Sequence, residues 1–216
     1  ICMLTAEAAN LRALEVKGNK ADVTAGLSLG EYGALIACGA LSRKDAFALV
    51  RKRGIYMQEA VPEGGAMAAV LALDTAQIEE ACKKTEGIVS IANYNCPGQI
   101  VITGEEKAVA AAGELCEELK HVTVHTPAIP YVANVTADYV TKEEDIKPLL
   151  EKQVSSSVRW QQTIERLIAD GADKFVEIGP GKTLTGFMRK INRDVAAVNI
   201  DKYEDFEKFV AESKNK

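Results

Sequence analysis

The five residues Gly26-Leu27-Ser28-Leu29-Gly30 constrain this chain most. They follow Ala21-Asp22-Val23-Thr24-Ala25 and run into Glu31-Tyr32-Gly33-Ala34-Leu35-Ile36-Ala37. An apolar run, a glycine-flanked turn and a helical stretch predict a strand, a sharp bend and a helix, with Ser28 at the apex. A nucleophile elbow needs this build, because the flanking glycines let the backbone turn while the serine is held outward in a strained conformation. The helix N-terminus behind it offers unpaired N–H groups, that of Leu29 among them, which can stabilise an oxyanion. The bland alternative is a Ser/Gly turn; the strand-to-helix setting favours the nucleophile.

A chain of 216 residues can bury one good core, or a larger domain carrying a smaller insert. Its net charge of -5 argues against nucleic acid as a partner, since no basic stripe exists to neutralise phosphates. Five scattered cysteines without a C-x-x-C pair read as buried, reduced thiols of a cytoplasmic protein. No signal peptide and no apolar run of membrane-spanning length is found. The opening Ile1-Cys2-Met3-Leu4 starts mid-pattern without an initiator methionine and reads as a fragment.

Periodicity predicts helices over Thr5–Leu14, Arg43–Ala60, Asp74–Thr85, Glu105–Leu119, Glu144–Val154, Val158–Asp170 and Thr183–Ile191. Strands are expected over Ala66–Leu73, Ile88–Asn93, Gln99–Thr103, near Val122, over Val132–Val135 and over Lys174–Ile178, with a loose Lys- and Glu-rich tail. The chain is therefore α/β. Residues 63–120, with the order β-α-β-β-α after the Gly64-Gly65 boundary, suggest a ferredoxin-like insert lacking its final strand. Residues 1–62 and 121–216 form the larger α/β domain.

Arg53 falls on one helical face with Ala46, Leu49, Val50, Met57 and Ala60. A guanidinium in an apolar stripe must snorkel, pair with a carboxylate, or clamp a substrate carboxylate near Ser28. Gln153 likewise ends the stripe Ile146, Leu149, Leu150; it either bonds a loop or reaches the active site. Asn93, Asn95 and Gln99 surround Pro97-Gly98, where turn chemistry is the ordinary reading and Asn95 a candidate to face substrate. Gly179-Pro180-Gly181-Lys182-Thr183 resembles the end of a P-loop, but Val176 stands where the first glycine belongs, so no nucleotide site is expected. His121 and His125 are the only histidines, in a segment that reads as a strand with both on one face. Structural or exposed roles suit them better than that of base to Ser28.

Gly26-Leu27-Ser28-Leu29-Gly30-Glu31-Tyr32, Lys52-Arg53-Gly54 with Met57-Gln58-Glu59-Ala60, and Asn93-Tyr94-Asn95-Cys96-Pro97-Gly98-Gln99 together resemble the malonyl-CoA:acyl carrier protein transacylase family. So do Gln153 with Val158-Arg159-Trp160, and Glu177-Ile178-Gly179-Pro180-Gly181-Lys182. The resemblance implies an α/β-hydrolase-like large domain with an inserted ferredoxin-like small one. It implies that Ser28 accepts malonyl from coenzyme A, Arg53 grips the free carboxylate, Leu29 N–H is half of an oxyanion hole, and Gln153 orients a catalytic histidine. Leu27 replaces the family's usual histidine. The family's N-terminal strand and glutamine-bearing loop would lie before Ile1. The segment with the catalytic histidine would fall between Cys116 and Glu117, which are adjacent here.

The expected function is malonyl transfer from malonyl-CoA to the phosphopantetheine thiol of acyl carrier protein through an acyl-serine, by a monomer with no cofactor or metal. Lys182, Arg189, Lys190 and Arg193 are the candidate dock for the acidic carrier. The rivals are an acyltransferase domain of a polyketide synthase, an inactive carrier-binding module, and a plain serine hydrolase. Arg53 argues against the last, since ester hydrolysis needs no carboxylate clamp.

Overall fold

Two helices begin where short polar side chains cap them. Before α3 (Arg43–Ala60), the Asp45 N–H donates to Ser42 Oγ at 3.1 Å and that hydroxyl donates to Asp45 Oδ2 at 2.7 Å. Before α4 (Thr75–Lys84), Gln77 N–H donates to Asp74 Oδ1 at 2.8 Å, and Asp74 N–H to Gln77 Oε1 at 3.3 Å. The Asp74–Gln77 pair is the reciprocal box that satisfies two helix-end amides, whereas Ser42 caps the Asp45 amide alone and its hydroxyl is held by the Asp45 carboxylate. The structure, a computed structural model, describes residues 1–60, 67–84, 89–104, 118–119 and 121–213. The helix predicted over Glu105–Leu119 and the join at Cys116 and Glu117 lie almost wholly outside the described residues.

The first helix, α1, covers Cys2–Val16 and leads to β1 (Thr24–Ala25), the Ser28 bend and α2 (Gly30–Ala37). Strand β1 runs parallel to β5 (Tyr131–Val132), which pairs antiparallel with β6 (Tyr139–Val140). A second sheet has the order β2-β4-β3, all antiparallel, from Met67–Leu71, Gln99–Thr103 and Ser90–Cys96. A third pairs β7 (Lys174–Ile178) parallel with β8 (Ala196–Ile200). Helices α5 (Glu143–Gln153), α6 (Trp160–Ala169), α7 (Thr183–Ile191) and α8 (Tyr203–Ser213) complete the described elements. Parallel pairs set among helices make the fold α/β, as expected. No helix of the described residues is long and apolar enough to cross a membrane.

The main core joins Leu4 of α1, Tyr32 and Leu35 of α2, Leu49 of α3, Tyr131 of β5, and Ile146 and Leu150 of α5. Each fully buried Leu or Ile contributes about 1.5–3 kcal/mol. A second cluster packs Cys96 of β3 against Trp160 and Ile164 of α6 and Phe187 and Met188 of α7. Strand β3 is also stitched to the segment before α6, because Tyr94 N–H donates to Val158 O and Val158 N–H to Ala92 O, both at 2.8 Å. Thus the second sheet reaches the same neighbourhood as the elbow.

Several expectations are corrected. Strand β3 continues through Tyr94-Asn95-Cys96, so the connection is only Pro97-Gly98, with Gly98 at φ 71°. No strand forms at Val122; Val124 makes a single bridge to Leu41. The strand expected over Val132–Val135 stops at Val132, and β6 and β8 were not foreseen. The tail is α8, whose Phe206 and Val210 pack with Leu14 and Ile200. On α3, Met57 is 46% exposed, so the apolar stripe ends at Arg53.

Candidate active site

Ser28 sits at φ +52°, a left-handed conformation that non-glycine residues rarely adopt. Such strain persists only where neighbours enforce it. Here a methyl on Gly26 would overlap the Gly30 carbonyl, so the close crossing of the chain demands glycine at 26. Gly30 faces open space, and only the first of the two expected glycine requirements is met by sterics. Tight turns Gly30 N–H to Leu27 O (2.9 Å) and Glu31 N–H to Ser28 O (3.2 Å) feed directly into α2.

Asn134, just beyond β5, clamps the bend. Its Oδ1 accepts the Ser28 N–H at 2.6 Å and its Nδ2 donates to Gly26 O at 2.5 Å. From the end of α5, Gln153 Nε2 donates to Ser28 O at 3.1 Å and to the Glu31 carboxylate. Asn134 N–H donates to Glu31 Oε1 at 3.3 Å. Glu31, Asn134 and Gln153 are all at least 95% buried. Burial pushes the Glu31 carboxyl up to about 8; the bonds from Gln153 and Asn134 and the Arg53 charge only partly oppose this.

The hydroxyl itself accepts a hydrogen bond from Arg53 Nη2 at 3.1 Å. Arg53 Nε is buried and has no partner among the described residues. A guanidinium that spends one N–H on the serine and keeps another buried and unused is equipped to receive an anion beside the hydroxyl. The Leu29 N–H, at the head of α2, meets no acceptor among the described residues, and the positive end of the helix dipole lies there.

The structure therefore brings Ser28, Leu29, Arg53 and Gln153 together. Gln153 acts on the serine's carbonyl, and no contact with a histidine exists for it among the described residues. His121 and His125 are both exposed, and Arg53 is the described partner of the Ser28 hydroxyl. Asn95 is 5% exposed with Oδ1 unpartnered among the described residues, inside β3 and not in a turn. Lys182, Arg189, Lys190 and Arg193 are all exposed on or beside α7, whose buried face holds Phe187 and Met188. The N-terminus of α7 is filled by the Glu177 carboxylate, which accepts from Leu184 N–H and Thr185 N–H at 2.9 Å. A phosphate would have to displace that carboxylate. Asn134 and Glu31 receive no role from sequence: Asn134 lies in no motif or apolar stripe, Glu31 sits inside the elbow motif without a sign of its own, and each acts on residues more than 100 positions away.

Residues 1–117 match the acyl transferase domain family. The chain is 41% identical over 239 residues to a malonyl CoA-acyl carrier protein transacylase of Bacillus subtilis (strain 168), covering 95% of this chain and 75% of the relative. It is 39% identical over 223 residues to the corresponding transacylase of Escherichia coli (strain K12), covering 88% and 72%. An alignment of 239 positions exceeds this chain's 216 residues, so the Bacillus relative carries internal residues that this chain lacks. The crystal structure of a malonyl CoA-acyl carrier protein transacylase from Clostridium perfringens superposes with TM-score 0.92 at 37% identity, covering 99% of this chain and 78% of the other. A malonyl-transacylase solved in complex with a type II PKS acyl-carrier protein superposes at 0.91 and 34% identity, covering 97% and 79%. On these matches and on the elbow geometry, the chain belongs to the acyl transferase domain family, among the malonyl CoA-acyl carrier protein transacylases.

Proposed function

We propose that this chain takes a malonyl group from malonyl-CoA onto Ser28 and passes it to the phosphopantetheine thiol of acyl carrier protein. The observation that carries this reading is the 3.1 Å contact between Arg53 Nη2 and Ser28 Oγ. It places a fixed cation beside the hydroxyl, suited to a substrate with a carboxylate at one end and a thioester at the other. In the loading step the serine oxygen bonds to the thioester carbon and the carbon–sulfur bond breaks. The hydroxyl proton is transferred to the departing thiolate, and coenzyme A leaves as its thiol. Leu29 N–H would stabilise the tetrahedral oxyanion. The second half reverses these bonds with the carrier thiol as nucleophile.

Supporting the domain reading, β2-β4-β3 with α4 has the strand order of three strands of a ferredoxin-like unit, attached to an α/β-hydrolase-like body of residues 1–62 and 121–216. Asn95, buried in β3, would face the acyl group. The exposed cations Lys182, Arg189, Lys190 and Arg193 would receive the acidic carrier. The cytoplasm, which holds the coenzyme A thioesters, is the compartment this reading implies.

A second reading, an inactive carrier-binding module, is favoured by one observation: the described partner of the serine hydroxyl is a cation that cannot take its proton. Incubation with labelled malonyl-CoA separates the two. Covalent label on the wild-type chain that Ser28→Ala abolishes supports transfer; an unlabelled wild type that still binds carrier protein supports the module.

A further inference from the structure

In sequence, Glu31 is an ordinary acidic residue in the first turn of a helix, where the dipole favours it. In the fold it is 1% exposed. Its two oxygens accept from two donors of distant origin, the Asn134 N–H on the chain beyond β5 and Gln153 Nε2 at the end of α5. Each donor residue then grips the elbow. Asn134 holds the Ser28 N–H and the Gly26 carbonyl, and Gln153 holds the Ser28 carbonyl. One carboxyl thus links, through the Asn134 backbone N–H and the Gln153 side chain, the two residues whose side chains fix the backbone on both sides of the Ser28 Cα. A left-handed serine needs such over-determination, because its own preferences would relax the turn.

We infer that Glu31 is a positioning residue: it orients Asn134 and Gln153 so that together they keep the Ser28 elbow in its left-handed turn. The inference rests on reading Ser28 as the acyl acceptor. Its consequence for the reaction is a split between parameters. Losing Glu31 lowers kcat for malonyl loading, because the hydroxyl strays from its position, while KM for malonyl-CoA follows Arg53 and stays near the wild-type value.

The direct test is residue-resolved amide hydrogen exchange on the wild type, Glu31→Ala and Glu31→Gln. The Ala variant removes the acceptor of the Asn134 N–H and leaves Gln153 Nε2 with the Ser28 carbonyl alone. The Gln variant keeps length and volume but offers one acceptor to two donors, and carries the comparison if Glu31→Ala does not fold. The amides of Ser28, Gly30 and Glu31 (or its replacement) should exchange at least tenfold faster, with the paired amides of β7 and β8 unchanged. Unchanged elbow amides, or equal acceleration in β7 and β8, would overturn the inference. Wild-type malonyl loading is measured in parallel. A wild type that never loads would overturn the acyl-acceptor reading, while elbow exchange still decides the role of Glu31.

Discussion

Arg53 Nη2 lies 3.1 Å from Ser28 Oγ, joining the middle of α3 to the bend between β1 and α2. A charged donor at that distance holds the hydroxyl in place, and on the proposed function the same guanidinium receives the far carboxylate of a diacid thioester.

Arg53→Ala should therefore reduce malonyl loading far more than loading from an acetyl donor. A lost charge-assisted contact of about 2–3 kcal/mol corresponds to roughly 30- to 150-fold. Arg53→Lys should recover only part of it, since a point charge lacks the planar fork. Parallel kcat/KM values for the two donors check this; an unaltered preference would make Arg53 a structural residue.

The two elbow glycines should behave differently. Gly26→Ala forces a methyl into the Gly30 carbonyl and should unfold the turn, costing more than about 3 kcal/mol and abolishing loading. Gly30→Ala has open space at the head of α2 and should change stability by no more than about 1 kcal/mol, in the stabilising direction that helix propensity sets. Chemical denaturation of both variants reads this out.

Much of this site was legible because its parts are local. The elbow motif and the ends of α3, β4, β7 and α7 all follow from neighbours within a few positions. Arg53 and Gln153 declared themselves as polar residues ending apolar stripes. Asn134 and Glu31 could not, since their meaning comes from partners more than 100 residues away. Strand β8 was overlooked because Ala196-Ala197-Val198-Asn199-Ile200 is short and follows a polar turn. Helix α8 did carry a signal: Tyr203, Phe206 and Val210 recur at helical spacing, and the Lys and Glu residues between them hid it.

The buried Glu31 gives stability a pH dependence of definite sign. Below an ordinary carboxyl value near 4.5, the folded and unfolded chains both carry this proton. Between there and about 8 the folded chain keeps a proton that the unfolded chain has released, so its contribution to stability is lost as pH rises through that window. The slope approaches about 1.4 kcal/mol per pH unit for one such group. Burial also raises the Glu7 carboxyl, which acts in the same direction. Denaturation midpoints from pH 5 to 8.5 should fall for the wild type and fall less for Glu31→Gln; parallel curves would contradict this.

Charge reversal at Arg189 and Lys190 should raise KM for carrier protein about fivefold to tenfold while leaving loading from malonyl-CoA alone. Both side chains are exposed, whereas Phe187 and Met188 on the same helix are buried, so the fold should be indifferent to the change. An unchanged KM would remove this surface as the dock.

The most direct measurement is intact-mass analysis of the purified chain after exposure to malonyl-CoA, followed by peptide mapping. One malonyl adduct, mapped to Ser28, lost in Ser28→Ala and discharged by holo acyl carrier protein, is the predicted result. A wild-type chain whose mass does not change, or an adduct that survives in Ser28→Ala, would contradict the assignment of this serine as the acyl acceptor.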